Sequence, residues 1–312
     1  MPGASLLHAS LGAALARSMV VLTEGSVIER LRRNPECTLD PYVAHAAFPY
    51  APGPARILAG VYREYLDIAR EARLPMLCFS PTWRANPERL RQAGLTQDVN
   101  RDGVLFVRRI IAGYDGILLG GLMGCYGDAY RPEQALTTSE AAGFHSVQAK
   151  ALTEAGCDFL IAATMPAAAE AAGIAVAMAQ TGAPYLLSFI INARGELLDS
   201  TPIPDALARI DGSVSPAPLG YLVNCVHPSI MASALERCDP VSRKRILGLQ
   251  ANTSAKNPQE LEGSERLETE DPEQFAESMV NLYRRFRLPI LGGCCGTDSR
   301  HIRSLAARLV AL

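Results

Sequence analysis

The chain has 312 residues, 48% hydrophobic and 20% charged, with a formal net charge of −2 at pH 7 and a pI near 6.2. This is the make-up of a soluble globular protein able to bury a large core. The near-neutral balance offers no basic stripe for a phosphate backbone, which excludes nucleic acid as an expected partner, and no run of roughly 18 uninterrupted apolar residues suggests a membrane span.

Residues 4–21 are rich in Ala and Leu, but Arg17 interrupts them, His8 and Ser10 dilute them, and no charged segment precedes them as in a secretion signal. They read as an N-terminal helical extension, residues 1–18, leading into a first strand. Short apolar runs then recur at 19–23, 76–80, 116–120, 158–162, 184–189, 220–224, 246–250 and 288–292. Runs that are apolar on both faces suit parallel strands covered by helices. Segments with helical spacing lie between them. In 54–73, Leu58, Val61, Tyr62 and Tyr65 form one stripe; 139–155 is a second such segment; in 271–287 the stripe is Phe275, Met279, Leu282 and Phe286. Residues 257–273 are charged and read as a solvated loop and helix start. Eight strand-helix units without a Pro/Gly/Ser-rich linker predict a single α/β domain over 1–312, a (β/α)8 TIM barrel, with a doubly wound open sheet as the alternative.

In such a barrel the chemistry sits at the C-terminal ends of the strands. The residues that close the apolar runs are Glu24, the segment 82–86, Asn224 with Cys225, Asn252, and Cys294 with Cys295. All would meet at one mouth.

The segment 291–297, Leu-Gly-Gly-Cys-Cys-Gly-Thr, carries the strongest signal. Adjacent cysteines on a glycine-rich turn can swing both sulfurs toward one point, because glycine admits backbone conformations closed to other residues. A third thiolate from Cys225, at the end of another strand, would complete three soft ligands for Zn2+ and leave the fourth tetrahedral position open for a substrate. A thiol entering that position loses its proton at neutral pH and becomes a nucleophile. The residues alone leave two alternatives, cysteines buried as small apolar groups and a vicinal redox pair. Cys37, Cys78, Cys157 and Cys238 read as buried apolar thiols. Eight cysteines without a secretion signal suggest reduced thiols or metal ligands and a cytoplasmic location.

Beside these motifs stand Val-Asn-Cys at 223–225, Gly-Cys-Tyr-Gly at 124–127, Phe144-His145 with Gln148, and Leu-Thr-Glu-Gly at 22–25. With them the chain resembles the homocysteine S-methyltransferases, the zinc-dependent barrels that include the betaine and S-methylmethionine enzymes, from about residue 20 to 310. The resemblance implies Zn2+ on Cys225, Cys294 and Cys295, and methyl transfer from an onium-type or similar donor to a small thiol such as homocysteine. It places Glu24 and Gly25 where the amino-acid part of the thiol is received, and Trp83 where an aromatic residue lies near the donor. An indole face attracts such a cation by about 0.5–2 kcal/mol. Thr164, Asn224 and Asn252 join them as expected substrate-binding residues, although the Asn224 side chain could instead brace the neighbouring thiolate and reads equally as the cap of a strand end. His145 and His227 read as structural or rim residues, His145 at a helix start.

The pattern departs from the family at four places. Ala163 stands where relatives carry a Glu that binds the substrate amine, a charge-assisted contact worth roughly 1.5–3 kcal/mol. Glu24 replaces Asp, Glu29 replaces Thr, and 250–254 reads Gln-Ala-Asn-Thr-Ser where relatives show Asn-Ser-Gly. A changed substrate shell over intact zinc ligands suggests a shifted thiol or donor. The other readings are a thiol- or metal-binding barrel without turnover and a zinc hydrolase, the latter poorly matched to three thiolates. The expected partners are a small-molecule thiol and a methyl donor, with no nucleic acid and no membrane; assembly into a homo-oligomer stays open.

Overall fold

The computed structural model describes residues 11–254 and 270–312, apart from Arg17 and Met19. The first ten residues of the expected N-terminal extension and residues 257–269 of the expected solvated loop lie outside the described residues. All eight apolar runs form strands: β1 (Val21–Thr23), β2 (Met76–Phe79), β3 (Ile117–Met123), β4 (Phe159–Met165), β5 (Tyr185–Phe189), β6 (Gly220–Val226), β7 (Ile246–Ala251) and β8 (Ile290–Gly293). Each pairs in parallel with the next and β8 closes onto β1, so the sheet is a (β/α)8 TIM barrel and not an open sheet.

Alternation along the strands divides the core in two, because successive side chains leave opposite faces of a strand. Leu77, Phe79, Phe159, Ile161, Leu186, Leu222 and Ile290 pack together within the barrel. Their neighbours Met76, Cys78, Leu160, Ala162, Tyr221 and Val223 pack outward among the helices. β3 and β4 run to Met123 and Met165, beyond the apolar runs that announced them. The small residues there serve packing: a Cβ on Gly120 would lie 2.7 Å from the Phe159 ring.

The crossover helices lie where spacing predicts, at Pro52–Ala72, Thr138–Glu154 and Pro272–Phe286. The first buries Leu58, Val61, Tyr62 and Tyr65, the predicted stripe, and each fully buried Leu contributes about 1.5–3 kcal/mol. The second starts with a capping box between Thr137 and Glu140. Residues 11–16 are helical, and Leu11 and Leu15 pack on the inner cluster with Leu118, Leu219 and Leu247. The end of the barrel away from the cysteines is thereby closed by the chain's own leading helix. Among the described residues no helix is long and apolar enough to cross a membrane.

Candidate metal centre

Two strand irregularities build the site. The pairing of β6 with β7 shifts register between Asn224 and Val226, and that of β4 with β5 shifts between Ala162 and Met165. At these points Cys225 (φ 60°) and Thr164 (φ 61°) take left-handed backbone conformations, which cost a non-glycine residue on the order of 1–3 kcal/mol. In a regular strand Asn224 and Cys225 would point to opposite faces. The bulge lets both line the cavity at the mouth, and the same holds for Ala163 and Thr164.

Cys294 and Cys295 follow β8 on a turn held from several sides. The Cys294 N–H donates to the Ala251 carbonyl (2.7 Å), the Cys295 N–H to Asn252 Oδ1 (3.0 Å) and the Gly296 N–H to Glu29 Oε2 (2.5 Å). Thr297 Oγ1 donates to the Cys294 carbonyl (2.6 Å) and accepts from the Ser26 N–H (3.1 Å). The sequence reading gave the glycines the task of bending the chain, and Gly296 alone of them has a positive φ, +81°. Gly292 and Gly293 are required for close approach instead: a Cβ would collide with Thr23 at the first and with Thr297 at the second.

The sulfurs of Cys225, Cys294 and Cys295 lie within 4.8 Å of one another, and all three are free thiols. Three thiolates about 2.3 Å from one zinc would sit slightly under 4 Å apart, so the donor set suits the ion in softness, while the Cys225 and Cys294 sulfurs, 2.8 Å apart, would have to separate to hold it. Crowding and burial push all three thiols well above the ordinary range. For Cys294 the contact with Cys225 dominates; for Cys225 and Cys295 one sulfur neighbour favours ionisation, and the other neighbour together with burial outweighs it. A bound dication reverses that balance and holds the thiolates.

Asn224 is committed to bracing. Its Oδ1 accepts from the Thr164 N–H (3.0 Å) and Ser188 Oγ (2.6 Å), while Nδ2 donates to Thr164 Oγ1 (2.8 Å) and Cys225 Sγ (3.3 Å). β4, β5 and β6 are tied together at the thiol. Asn224→Ala is expected to lower stability by about 2 kcal/mol through the orphaned partners and to weaken zinc binding roughly 10- to 100-fold. Denaturant melts and chelator competition measure the two; unchanged zinc affinity would reduce Asn224 to a fold residue.

The cavity above the sulfurs holds about 240 Å3. Glu24, Gly25, Trp83, Thr164, Asn224 and Asn252, all expected at the site, line it together with the three cysteines and Ala163. Asn252, like Asn224, spends its side chain on the protein, at the Cys295 N–H. Burial pushes the Glu24 carboxyl up to about 8, against the Phe79 N–H it accepts (3.3 Å) and the nearby Cys78 thiol. Arg84 lines the cavity too, within the segment 82–86 expected at the mouth, whereas sequence reasoning missed His45, Asp128 and Tyr130, which line it from loops. Their only advance signal was clustering after the first and third strands.

The two weighed histidines stand away from the sulfurs. His145 lies in the middle of the helix Thr138–Glu154 and not at its start, fully buried, with Nε2 2.9 Å from Glu170 Oε1. His227 is the N-cap of the helix Pro228–Arg237 and accepts from the Ser229 N–H. Among the described residues the cluster that could hold a metal consists of the three cysteines alone.

The family model for homocysteine S-methyltransferase matches residues 12–309. The chain belongs to the homocysteine S-methyltransferase family. Within it, the chain is 28% identical over 194 residues to the homocysteine S-methyltransferase YbgG of Bacillus subtilis (strain 168), covering 60% of this chain and 59% of the relative. It is 26% identical over 200 residues to the homocysteine S-methyltransferase of Escherichia coli (strain K12), covering 62% and 63%. A selenocysteine Se-methyltransferase of Brassica oleracea var. italica is 24% identical over 211 residues, covering 66% and 58%. The matched region thus spans about three fifths of the length of each curated relative. The metallated form of the homocysteine methyltransferase MmuM from Escherichia coli shares the fold, with a TM-score of 0.75, 20% identity, and coverage of 96% of this chain and 99% of that one. The oxidized form gives a TM-score of 0.76 at 21% identity with the same coverage.

Proposed function

We propose that this member of the homocysteine S-methyltransferase family is a zinc-dependent thiol S-methyltransferase, a single-domain cytoplasmic enzyme with Cys225, Cys294 and Cys295 as metal ligands. The observation that carries the reading is the convergence of three free thiols within 4.8 Å on the floor of a cavity, at the strand ends where barrel chemistry is done. The names of the curated relatives, two acting on homocysteine and one on selenocysteine, support a thiol or selenol acceptor. Zinc, when bound, supplies a site at which a substrate thiol gives up its proton and stays nucleophilic.

The chain's own residues do the rest. The substrate sulfur forms a bond to the methyl carbon as the bond from methyl to donor breaks, and the bonding pair leaves with the donor. Holding the two reactants at attack distance is the protein's main contribution to rate. Asn224 holds the Cys225 sulfur and Asn252 the Cys295 N–H, Glu29 pins the Gly296 turn, and Trp83 forms part of the cavity wall. An onium-type or similar donor fits that wall, with one change to the sequence reading. The Arg84 guanidinium already lies 5.2 Å from the Trp83 ring centroid, so a cationic methyl donor has to share the indole with a like charge.

The test is a screen of the zinc-loaded and zinc-free full chain against homocysteine and other small thiols, with S-methylmethionine, betaine and related donors, and methylated thiol counted by mass spectrometry. Product in excess of protein, dependent on zinc, is the expected result. Full activity in zinc-free protein overturns the zinc reading. Product that never exceeds the protein, with thiol bound, favours a barrel that binds thiol or metal without methyl transfer, which the absent carboxylate at Ala163 motivates.

A further inference from the structure

Ser188 places a hydroxyl on the apolar inner face of the barrel. It follows Leu186 by two on β5, so both face inward, and its register partner on β6 is Leu222 of the same inner cluster. The residue is fully buried and is not among those that line the cavity, so it does not meet substrate. A buried hydroxyl needs a partner. Ser188 Oγ has one in Asn224 Oδ1, at 2.6 Å the shortest contact that the amide makes.

The two donors at that oxygen fix which way the amide points. A backbone N–H can only donate, so the amide atom facing the Thr164 N–H is the oxygen, and Ser188 Oγ donates to the same atom. The nitrogen is thereby turned the other way, where it donates to Thr164 Oγ1 (2.8 Å) and to Cys225 Sγ (3.3 Å). A flipped amide would set its NH2 group against the Thr164 N–H and its oxygen against the Cys225 sulfur. Among the described residues, Cys225 Sγ is the one of the three sulfurs that takes a hydrogen bond from a side-chain amide. Such a bond draws electron density from a thiolate and changes what it gives a metal.

We propose that Ser188 is a positioning residue for the metal centre. From β5 it locks the Asn224 amide so that the amide N–H stays on Cys225 Sγ, which steadies that sulfur and lowers what it donates to the metal. The inference rests on the reading of Cys225 as a metal ligand. A ligand that donates less leaves the metal better able to hold a substrate thiol as its thiolate. The hydroxyl acts from outside the cavity, through one amide, on the sulfur that lies inside it.

Spectroscopy and metal binding test it without turnover. The full chain is loaded with cobalt(II), whose thiolate-to-metal charge-transfer band reports electron donation by sulfur, and zinc affinity is read by chelator competition. Ser188→Ala removes the hydroxyl and leaves the three cysteines and the cavity lining in place. It is expected to move the band to lower energy, because a thiolate with a weakened hydrogen bond gives up charge more readily, and to weaken zinc roughly tenfold, because Cys225 Sγ is less firmly held. In the Asn224→Ala background the same substitution is expected to change neither. A lower denaturation midpoint with band and affinity unmoved, or an equal further loss in the Asn224→Ala background, overturns the proposal and leaves Ser188 a packing residue. If the wild-type chain takes up neither metal, the zinc reading fails and the lock is read in metal-free protein. There, hydrogen exchange of the Asn224 side-chain amide, followed by nuclear magnetic resonance, is expected to quicken at least roughly tenfold in Ser188→Ala. An unchanged rate overturns the lock itself.

Discussion

Cys294→Ser is expected to lose zinc and methyl transfer together while the barrel stays folded. Structural zinc sites contribute roughly 10–16 kcal/mol over four ligands, so one thiolate is worth on the order of 3 kcal/mol, a factor of roughly 100 in affinity. Serine keeps the size of the side chain and offers a hard, protonated oxygen in place of a soft thiolate. The backbone contacts of this turn run through the Cys294 N–H and carbonyl, which the substitution leaves in place. The circular dichroism spectrum should therefore be unchanged as chelator competition records the weakened site. Wild-type zinc affinity in Cys294→Ser would remove this cysteine from the ligand set.

Glu170→Ala is expected to give the largest loss of stability, about 3–5 kcal/mol. Glu170 is fully buried; its Oε1 accepts the Tyr126 N–H (2.6 Å) and lies 2.9 Å from His145 Nε2, and its Oε2 accepts the Leu136 N–H (3.3 Å). One carboxylate thus pins both ends of the loop after β3. Alanine would orphan a fully buried histidine and the backbone donors of half-buried Tyr126 and Leu136, in a fold whose whole margin is about 5–15 kcal/mol. That loop brings Asp128, Ala129 and Tyr130 to the cavity, and Gly124 at its start packs so closely on Trp83 that a Cβ would lie 2.6 Å from the Trp83 carbonyl. Faster amide exchange at Tyr126 and Leu136 is expected with the lower denaturation midpoint. Unchanged exchange there would show that the loop holds itself.

The barrel was legible because parallel strands buried on both faces read as short apolar runs, and Leu77, Phe159 or Leu222 cannot be placed otherwise. The three cysteines were legible because each closes such a run. The loop-borne lining of the cavity was not. His45 sits in a loop with no period to read, where a left-handed Ala44 (φ 55°) precedes it. The residue pattern leaves Asn224 between a substrate role and a bracing one, and its commitment to Thr164 and Ser188 follows from two register shifts that no residue pattern announces. Glu170 lay unremarked on an alanine-rich helix, Ala168–Ala179, although a carboxylate among so many small apolar residues is itself a mark of a buried partner.

The plug formed by Leu11 and Leu15 has a kinetic consequence. With that helix at the back door and Leu77, Phe79, Phe159 and Leu222 filling the tunnel, the sulfurs are reached, among the described residues, from the mouth. Under the proposed methyl transfer, two molecules that meet at one centre through one entrance would form a queue. That reading predicts ordered kinetics: the thiol seated against the sulfurs binds first, the donor binds over it, and the spent donor leaves before the methylated product.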